Sequence, residues 1–333
     1  MNSFHHTLRA FVTAGLFATA TAQVPDTLKH SIPAPPTGVQ TGAQLGRSVA
    51  VDGGYTVLGA PYDDLGGSDS GVVKVFNSTT GVLLFVLPNP SPAAGDNFGS
   101  SVAISGTRVV VGASFDDSGA SNAGSAYVYD LSNGTPTVPV ATLNNPSPAA
   151  DDWFGNSVAI SGTRVVVGAH WDNTGAPDAG SAYVYDLSSG TPTVPVATLN
   201  NPGPAAGDEF GYSVAISGTR VVVGASWDNT GDGSAYVYDL SSGTPTVPVA
   251  TLDNPSPAEY DQFGYSVAVS GTRVVVGAYR DDTGATDAGS AYVYDLSSGT
   301  PTVPVATLNN PGPAASDYFG YSVAISGDRK SVV

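Results

Sequence analysis

Paired carboxylates are the residues of this chain best suited to chemistry. They recur as Asp63-Asp64, Asp116-Asp117 and Asp281-Asp282, with Asp172-Asn173 and Asp228-Asn229 at the corresponding places. Calcium is a hard cation that gathers about six to eight oxygen ligands. Asp63, Asp64, Asp116, Asp117, Asp172, Asp228, Asp232, Asp281 and Asp282 are therefore candidate calcium ligands. The stretch from Asp228 to Gly233 comes nearest to an Asp-x-Asn-x-Asp-Gly loop, with Thr230 where an acid or amide is wanted. The competing reading is turn chemistry, in which Asp side chains accept nearby backbone N–H groups and keep the surface charged. A third reading is attraction of a basic partner. Tyr62, Phe115, Trp171 and Trp227 stand beside these acids, with Arg280 in the fifth place. Planar rings next to carboxylates suit stacking and hydrogen bonding to a sugar, although such residues more often brace neighbouring sheets.

Other chemistries are excluded by composition. The chain of 333 residues has no Cys, so disulfides, thiolate nucleophiles and Cys zinc sites are absent. Its four His are His5, His6, His30 and His170; neither His30 nor His170 has a neighbourhood that suggests a metal site or a catalytic triad. With 11 basic against 28 acidic residues the net charge is −17, which disfavours nucleic acid as a partner. There is no nucleophile beside a base, no phosphate loop and no single asymmetric constellation of the kind catalysis needs.

These residues are carried by a repeated unit. Phe-Gly recurs at Phe98-Gly99, Phe154-Gly155, Phe210-Gly211, Phe263-Gly264 and Phe319-Gly320, after a degenerate Leu45-Gly46; the spacings are 53, 56, 56, 53 and 56 residues. The fourth copy is short because Gly231-Asp232-Gly233 replaces a longer loop. In the second copy, Ser101 to Ser105 and Arg108 to Ala113 read as strands joined by a tight turn, the second covered on both faces. Gly124 to Leu131 is a third strand. Val138 to Leu143 is a fourth, and Pro139 marks it as the outer edge of its sheet. Four antiparallel strands per repeat predict an all-β protein, a β-propeller of blades about 53–56 residues long. Five copies are complete and a sixth is partial, giving six blades or a truncated seven; Thr27 to Pro35 is a candidate outer strand from the N-terminal side. The last residues, Asp328 to Val333, break the repeat and suggest an incomplete product.

Phe-Gly followed at fixed distance by Gly-Ala resembles the FG-GAP repeat, known from the N-terminal propeller of integrin α chains and from secreted bacterial proteins. The pairs are Phe98-Gly99 with Gly112-Ala113, Phe154-Gly155 with Gly168-Ala169, Phe210-Gly211 with Gly224-Ala225, and Phe263-Gly264 with Gly277-Ala278. The first copy alone completes Gly-Ala-Pro, at Gly59-Ala60-Pro61. Integrin-like repeats often carry an Asp-rich calcium loop between the two dipeptides. Ile104-Ser105-Gly106-Thr107-Arg108 stands there instead, so that calcium site does not carry over.

Residues 1–22 read as an export signal: Arg9 gives a positive flank, Phe11 to Ala20 a short apolar stretch, and Ala20-Thr21-Ala22 a cleavage pattern. The expectation is a secreted, monomeric, single-domain propeller over residues 23–333, without a transmembrane span. It binds an extracellular protein or glycan without catalysis, as an adhesion scaffold. A calcium-dependent glycan-binding module is the second reading, and an extracellular hydrolase with an unrecognised site the third. In an up-and-down blade the acidic loops and the connections carrying Asp96, Asp152, Asp208, Asp261 and Asp317 emerge on one face. Arg108, Arg164, Arg220 and Arg273 emerge on the other, where Asp130, Asp186, Asp239 and Asp295 are expected to pair with them.

Overall fold

Among the described residues, twenty strands form five sheets, each an antiparallel meander of four strands in chain order. The structure, a computed structural model, describes residue 40 and residues 42–326. The expected export signal, the outer strand at Thr27 to Pro35 and the break at Asp328 to Val333 lie outside them. The first sheet holds β1 (Ser48–Asp52), β2 (Tyr55–Ala60), β3 (Val72–Asn77) and β4 (Leu83–Pro88). The second holds β5 (Ser101–Ser105), β6 (Arg108–Ala113), β7 (Ser125–Asp130) and β8 (Ala141–Asn144). The third holds β9 (Ser157–Ser161), β10 (Arg164–Ala169), β11 (Ser181–Asp186) and β12 (Ala197–Asn200). The fourth holds β13 (Phe210–Ser217), β14 (Arg220–Ala225), β15 (Ser234–Asp239) and β16 (Ala250–Asp253). The fifth holds β17 (Phe263–Ser270), β18 (Arg273–Ala278), β19 (Ser290–Asp295) and β20 (Ala306–Asn309).

The sheets are the blades of a propeller. The first strand of each adjoins the first strand of the next. Ala50-Val51, Val102 to Ile104, Val158 to Ile160, Val214 to Ile216, Val267 to Val269 and Val323 to Ile325 all line one channel. The core lies between blades, not within them. Val57, Val73, Val75 and Leu87 of the first blade bury against Phe98, Val109, Val111 and Tyr129 of the second. That sandwiching is why strands such as β6 and β7 are apolar on both faces.

Both repeated dipeptides belong to one contact between blades. A Cβ on Gly112 would collide with the carbonyl oxygen of Gly155; Gly59, Gly168, Gly224 and Gly277 meet Gly99, Gly211, Gly264 and Gly320 in the same way. A serine of the inner strand caps the same carbonyl: Ser101 Oγ donates to Gly155 O at 2.7 Å and Ser157 Oγ to Gly211 O at 2.7 Å. The glycine of Gly-Ala is therefore required by close backbone approach.

Three expectations need correction. The fourth strand begins at Ala141, not Val138. Val138 N–H closes a turn on Thr135 O, Pro139 has no N–H to give, and regular pairing starts after Val140 N–H reaches Val128 O at 2.7 Å. Asp130, Asp186 and Asp239 do not pair with the arginines of the opposite face. Each accepts from the serine two residues on, as Ser132 Oγ does to Asp130 at 2.6 Å. Arg108 and Arg164 instead reach the carbonyls of Gly162 and Gly218 in the next blade, at 3.4 and 3.5 Å. Among the described residues, only Arg273 and Asp295 form the expected ion pair, at 3.3 Å. The partial sixth copy contributes no assigned strand up to Ser326, although Ser266 Oγ still clasps Gly320 O at 2.8 Å. The far side of the fifth blade accordingly lacks cover among the described residues: Leu308 is 36% exposed where Leu143, Leu199 and Leu252 are fully buried.

Candidate functional site

The acidic ring expected on the loop face is built two layers deep, and its inner layer is buried. Asp116, Asp172, Asp228 and Asp281 are all buried. Each accepts a hydrogen bond from the first tyrosine of the third strand: Tyr127, Tyr183, Tyr236 and Tyr292, at 2.6–2.7 Å. The other oxygen of Asp116, Asp172 and Asp281 accepts a backbone N–H two residues on, at 2.7–2.8 Å. In the first blade Lys74 takes the tyrosine's place and pairs with Asp63 at 3.7 Å. The second member of each pair braces its own loop. Asp64, Asp117 and Asp282 accept a backbone N–H five residues on, at 2.8 Å, and Asn173 does the same at 2.9 Å. An amide that replaces the acid without changing the bond marks this position as turn chemistry.

Asp96, Asp152, Asp208 and Asp261 form a further buried set. Each holds an asparagine amide and a backbone N–H, as Asn254 Nδ2 and Ala258 N do for Asp261 at 2.7 and 3.0 Å. Burial raises all four above the ordinary carboxylate range, Asp261 to about 6. Among the described residues, no group of three or more His, Cys, Asp and Glu side chains is placed to hold a metal ion. Asp232 joins the set through its backbone, whose N–H donates to Asp228 O.

The second to fifth blades differ from one another mainly in short columns on this same face. One column precedes the Phe and reads Gln44, Asn97, Trp153, Glu209, Gln262, Tyr318, all with left-handed φ of 52–57°. The next follows the Gly and reads Arg47, Ser100, Asn156, Tyr212, Tyr265, Tyr321. The last follows Gly-Ala, with Ser114-Phe115, His170-Trp171, Ser226-Trp227 and Tyr279-Arg280. These columns assemble a chain of aromatic contacts. Phe115 meets Trp153 at 4.7 Å, Trp153 stacks on Trp171 at 3.8 Å, and His170 bridges Trp153 and Tyr212 at 5.4 and 5.2 Å. Tyr212, Tyr265 and Tyr321 continue it at 4.8 and 5.0 Å.

Two cavities open on this face. One, of about 260 Å³, is lined by Arg47, Pro61, Tyr62, Asn97, Ser100, Ser114, Phe115, Trp153, Asn156, His170 and Tyr212. Burial drops His170 to about 3, so its imidazole is neutral. The other, of about 520 Å³, lies where the fourth loop is short, between Trp227 and Tyr260, with Asp208 and Asp228 in its wall. Elsewhere a loop glycine packs there against a proline, as Gly119 on Pro148 and Gly175 on Pro204. The short loop instead holds Asn229 and Thr230 at left-handed φ of 54° and 65° within the turn Asp228–Gly231.

The FG-GAP repeat family model matches residues 36–76, 90–129, 139–185, 194–238 and 249–294, more than half of the chain and one match for each blade. The chain belongs to the FG-GAP repeat family. No curated protein matches it. Among solved structures, the crystal structure of the computationally designed Ika8 protein aligns over 80% of this chain at 18% identity, with a TM-score of 0.49. The chain spans 63% of that structure's length.

Of the aromatic candidates, this FG-GAP protein brings Tyr62 and Phe115 together in the smaller cavity, stacks Trp171 behind it on Trp153, and places Trp227 in the other cavity. Asn97, Trp153, His170 and Tyr212 were not among the candidates. The signal that could have found them is the disagreement between copies beside Phe-Gly and Gly-Ala, where the rest of the repeat is nearly invariant from the second copy to the fifth.

Glu209, one of only two glutamates, occupies the column before Phe210 and accepts from Trp171 Nε1 at 3.4 Å. Burial pushes it up to about 7 from 4.5. The folded protein then holds a proton that the unfolded chain has released, so this group's contribution to stability falls as pH rises from 4.5 to about 7. The expected result is a tryptophan emission change with a midpoint near 7, absent in Glu209→Gln. That variant should also lose less stability than the parent across the same window. An unchanged titration in the variant would reassign the transition.

Proposed function

We propose that the chain is an exported, non-catalytic binding scaffold that holds an extracellular protein or glycan on its loop face. The observation that carries this reading is the distribution of differences. From the second blade to the fifth the inter-blade core and outer strands repeat almost without change, while the loop face varies blade by blade in aromatic and polar side chains. A scaffold under no binding demand has no reason to confine its variety to one face. Membership of the FG-GAP family supports a propeller scaffold, and several neighbouring contacts on one face favour avidity. No helix among the described residues is long and apolar enough to cross a membrane.

The test immobilises the full chain and probes it with intact cells, matrix proteins and a glycan array, in calcium and in chelator. Trp171→Ser with Trp227→Ser should abolish capture, and Arg108→Ser with Arg164→Ser on the opposite face should leave it intact. The reverse pattern, or no capture at all, defeats the reading. The calcium-dependent version further requires calcium to raise the thermal midpoint. Because the loop carboxylates are already occupied by tyrosine and backbone donors, coincident curves are the expected result.

A further inference from the structure

We propose that the smaller cavity on the loop face is a binding site for a single neutral sugar ring. The inference deepens the reading above and rests on the loop face being the binding face. Its wall residues combine apolar ring faces with polar atoms, buried just behind the cavity surface, that lack partners. Asn97 Oδ1, Trp153 Nε1 and His170 Nδ1 are each cut off from solvent with no hydrogen-bond partner among the described residues. Asn97 and His170 are 8% and 2% exposed, and all three residues line the cavity. A buried polar atom left unsatisfied is costly and calls for an explanation. Three in one aromatic cavity are explained by a ligand that supplies the missing bonds after small side-chain rotations.

The chemistry of the three narrows the ligand. Asn97 Oδ1 accepts, Trp153 Nε1 only donates, and a neutral imidazole nitrogen does one or the other. A hydroxyl group serves each of them, because it both donates and accepts. A quaternary ammonium ion would suit the rings but satisfies none of these atoms, and Arg47 in the wall repels it. A carboxylate has no hydrogen to offer Asn97. The volume of about 260 Å³ lies just below the roughly 300–1,000 Å³ of drug-sized pockets, which suits one ring better than a chain. Tyr62 and Phe115 supply the apolar surface that the flat face of a pyranose covers.

The probes are the methyl glycosides of glucose, galactose, mannose and N-acetylglucosamine, titrated at millimolar concentrations into the full chain. Tryptophan emission and ligand-observed NMR report binding. At least one glycoside should bind saturably. Asn97→Leu, which keeps the bulk and removes the acceptor, should weaken it about tenfold. Tyr62→Ala, at a less buried position, guards against a folding defect in the first variant and should also weaken binding. Arg164→Ser, on the opposite face, should leave it unchanged. The proposal is overturned if no glycoside binds, if both wall variants bind as well as the parent, or if choline binds in place of the glycosides. A parent that captures partners on its loop face and ignores every glycoside fails this proposal alone. Glycoside binding with capture mapped to the opposite face fails only the broader reading.

Discussion

Phe210→Ala should lower stability by about 4 kcal/mol, within the 3–5 kcal/mol typical of emptying a large aromatic site. Phe210 is fully buried and packs between two blades, against Val166, Val184 and Leu199 on one side and Val221 and Val223 on the other. Its ring also meets Tyr236 and Tyr238 at 5.6 and 6.4 Å. Both sheets are anchored elsewhere and cannot collapse into the space, so the cavity remains. The measurement is urea unfolding, read as a lower midpoint at unchanged slope. Phe98, Phe154 and Phe263 are equally buried, and the same substitution there should have a similar effect. Phe319 is only half-buried and its replacement should matter much less. A neutral Phe210→Ala would mean that the inter-blade core does not hold the propeller together.

Gly168→Ala should lower stability by about 3 kcal/mol, at the upper end for overpacking. Alanine normally suits a strand interior better than glycine, by roughly 0.5–1 kcal/mol, so the expected sign is reversed. The reason is spatial. The new methyl group would meet Gly211 O and Ser157 Oγ, and would force apart the two strands that the Ser157 Oγ to Gly211 O bond of 2.7 Å draws together. Gly162→Ala separates this effect from backbone strain. Gly162 lies in an inner turn at φ +62° with nothing near a Cβ, and its replacement should cost about 1 kcal/mol. If the two variants are equally destabilised, the close approach of blades is not what requires glycine at Gly168.

Much of the architecture was legible before any coordinates. Phe-Gly and Gly-Ala at spacings of 53 or 56 residues, with alternating strands between them, fix a four-stranded unit. Pro139 falls in the turn before the fourth strand, because a residue without N–H cannot sit inside a ladder. Apolar Val138 and Val140 suggest an earlier start for the fourth strand, but they are exposed, and the turn on Thr135 sets where pairing starts.

The site was much less legible. Asp116 and Asp117 are adjacent and chemically identical, yet one is buried under Tyr127 while the other caps its own loop. Chain order cannot separate them, since the difference depends on which side of the loop faces the third strand. His170 had no suggestive neighbours in the sequence, but three aromatic rings surround it in the fold. Spacing and strand direction are enough to specify the repeat, the blade and the face on which the loops emerge. Which side chains meet on that face depends on how the blades pack. Tyr62, Asn97, Trp153 and His170 come from separate turns of the chain and share a cavity because neighbouring blades converge towards one axis. Local pattern carries no information about contacts across blades.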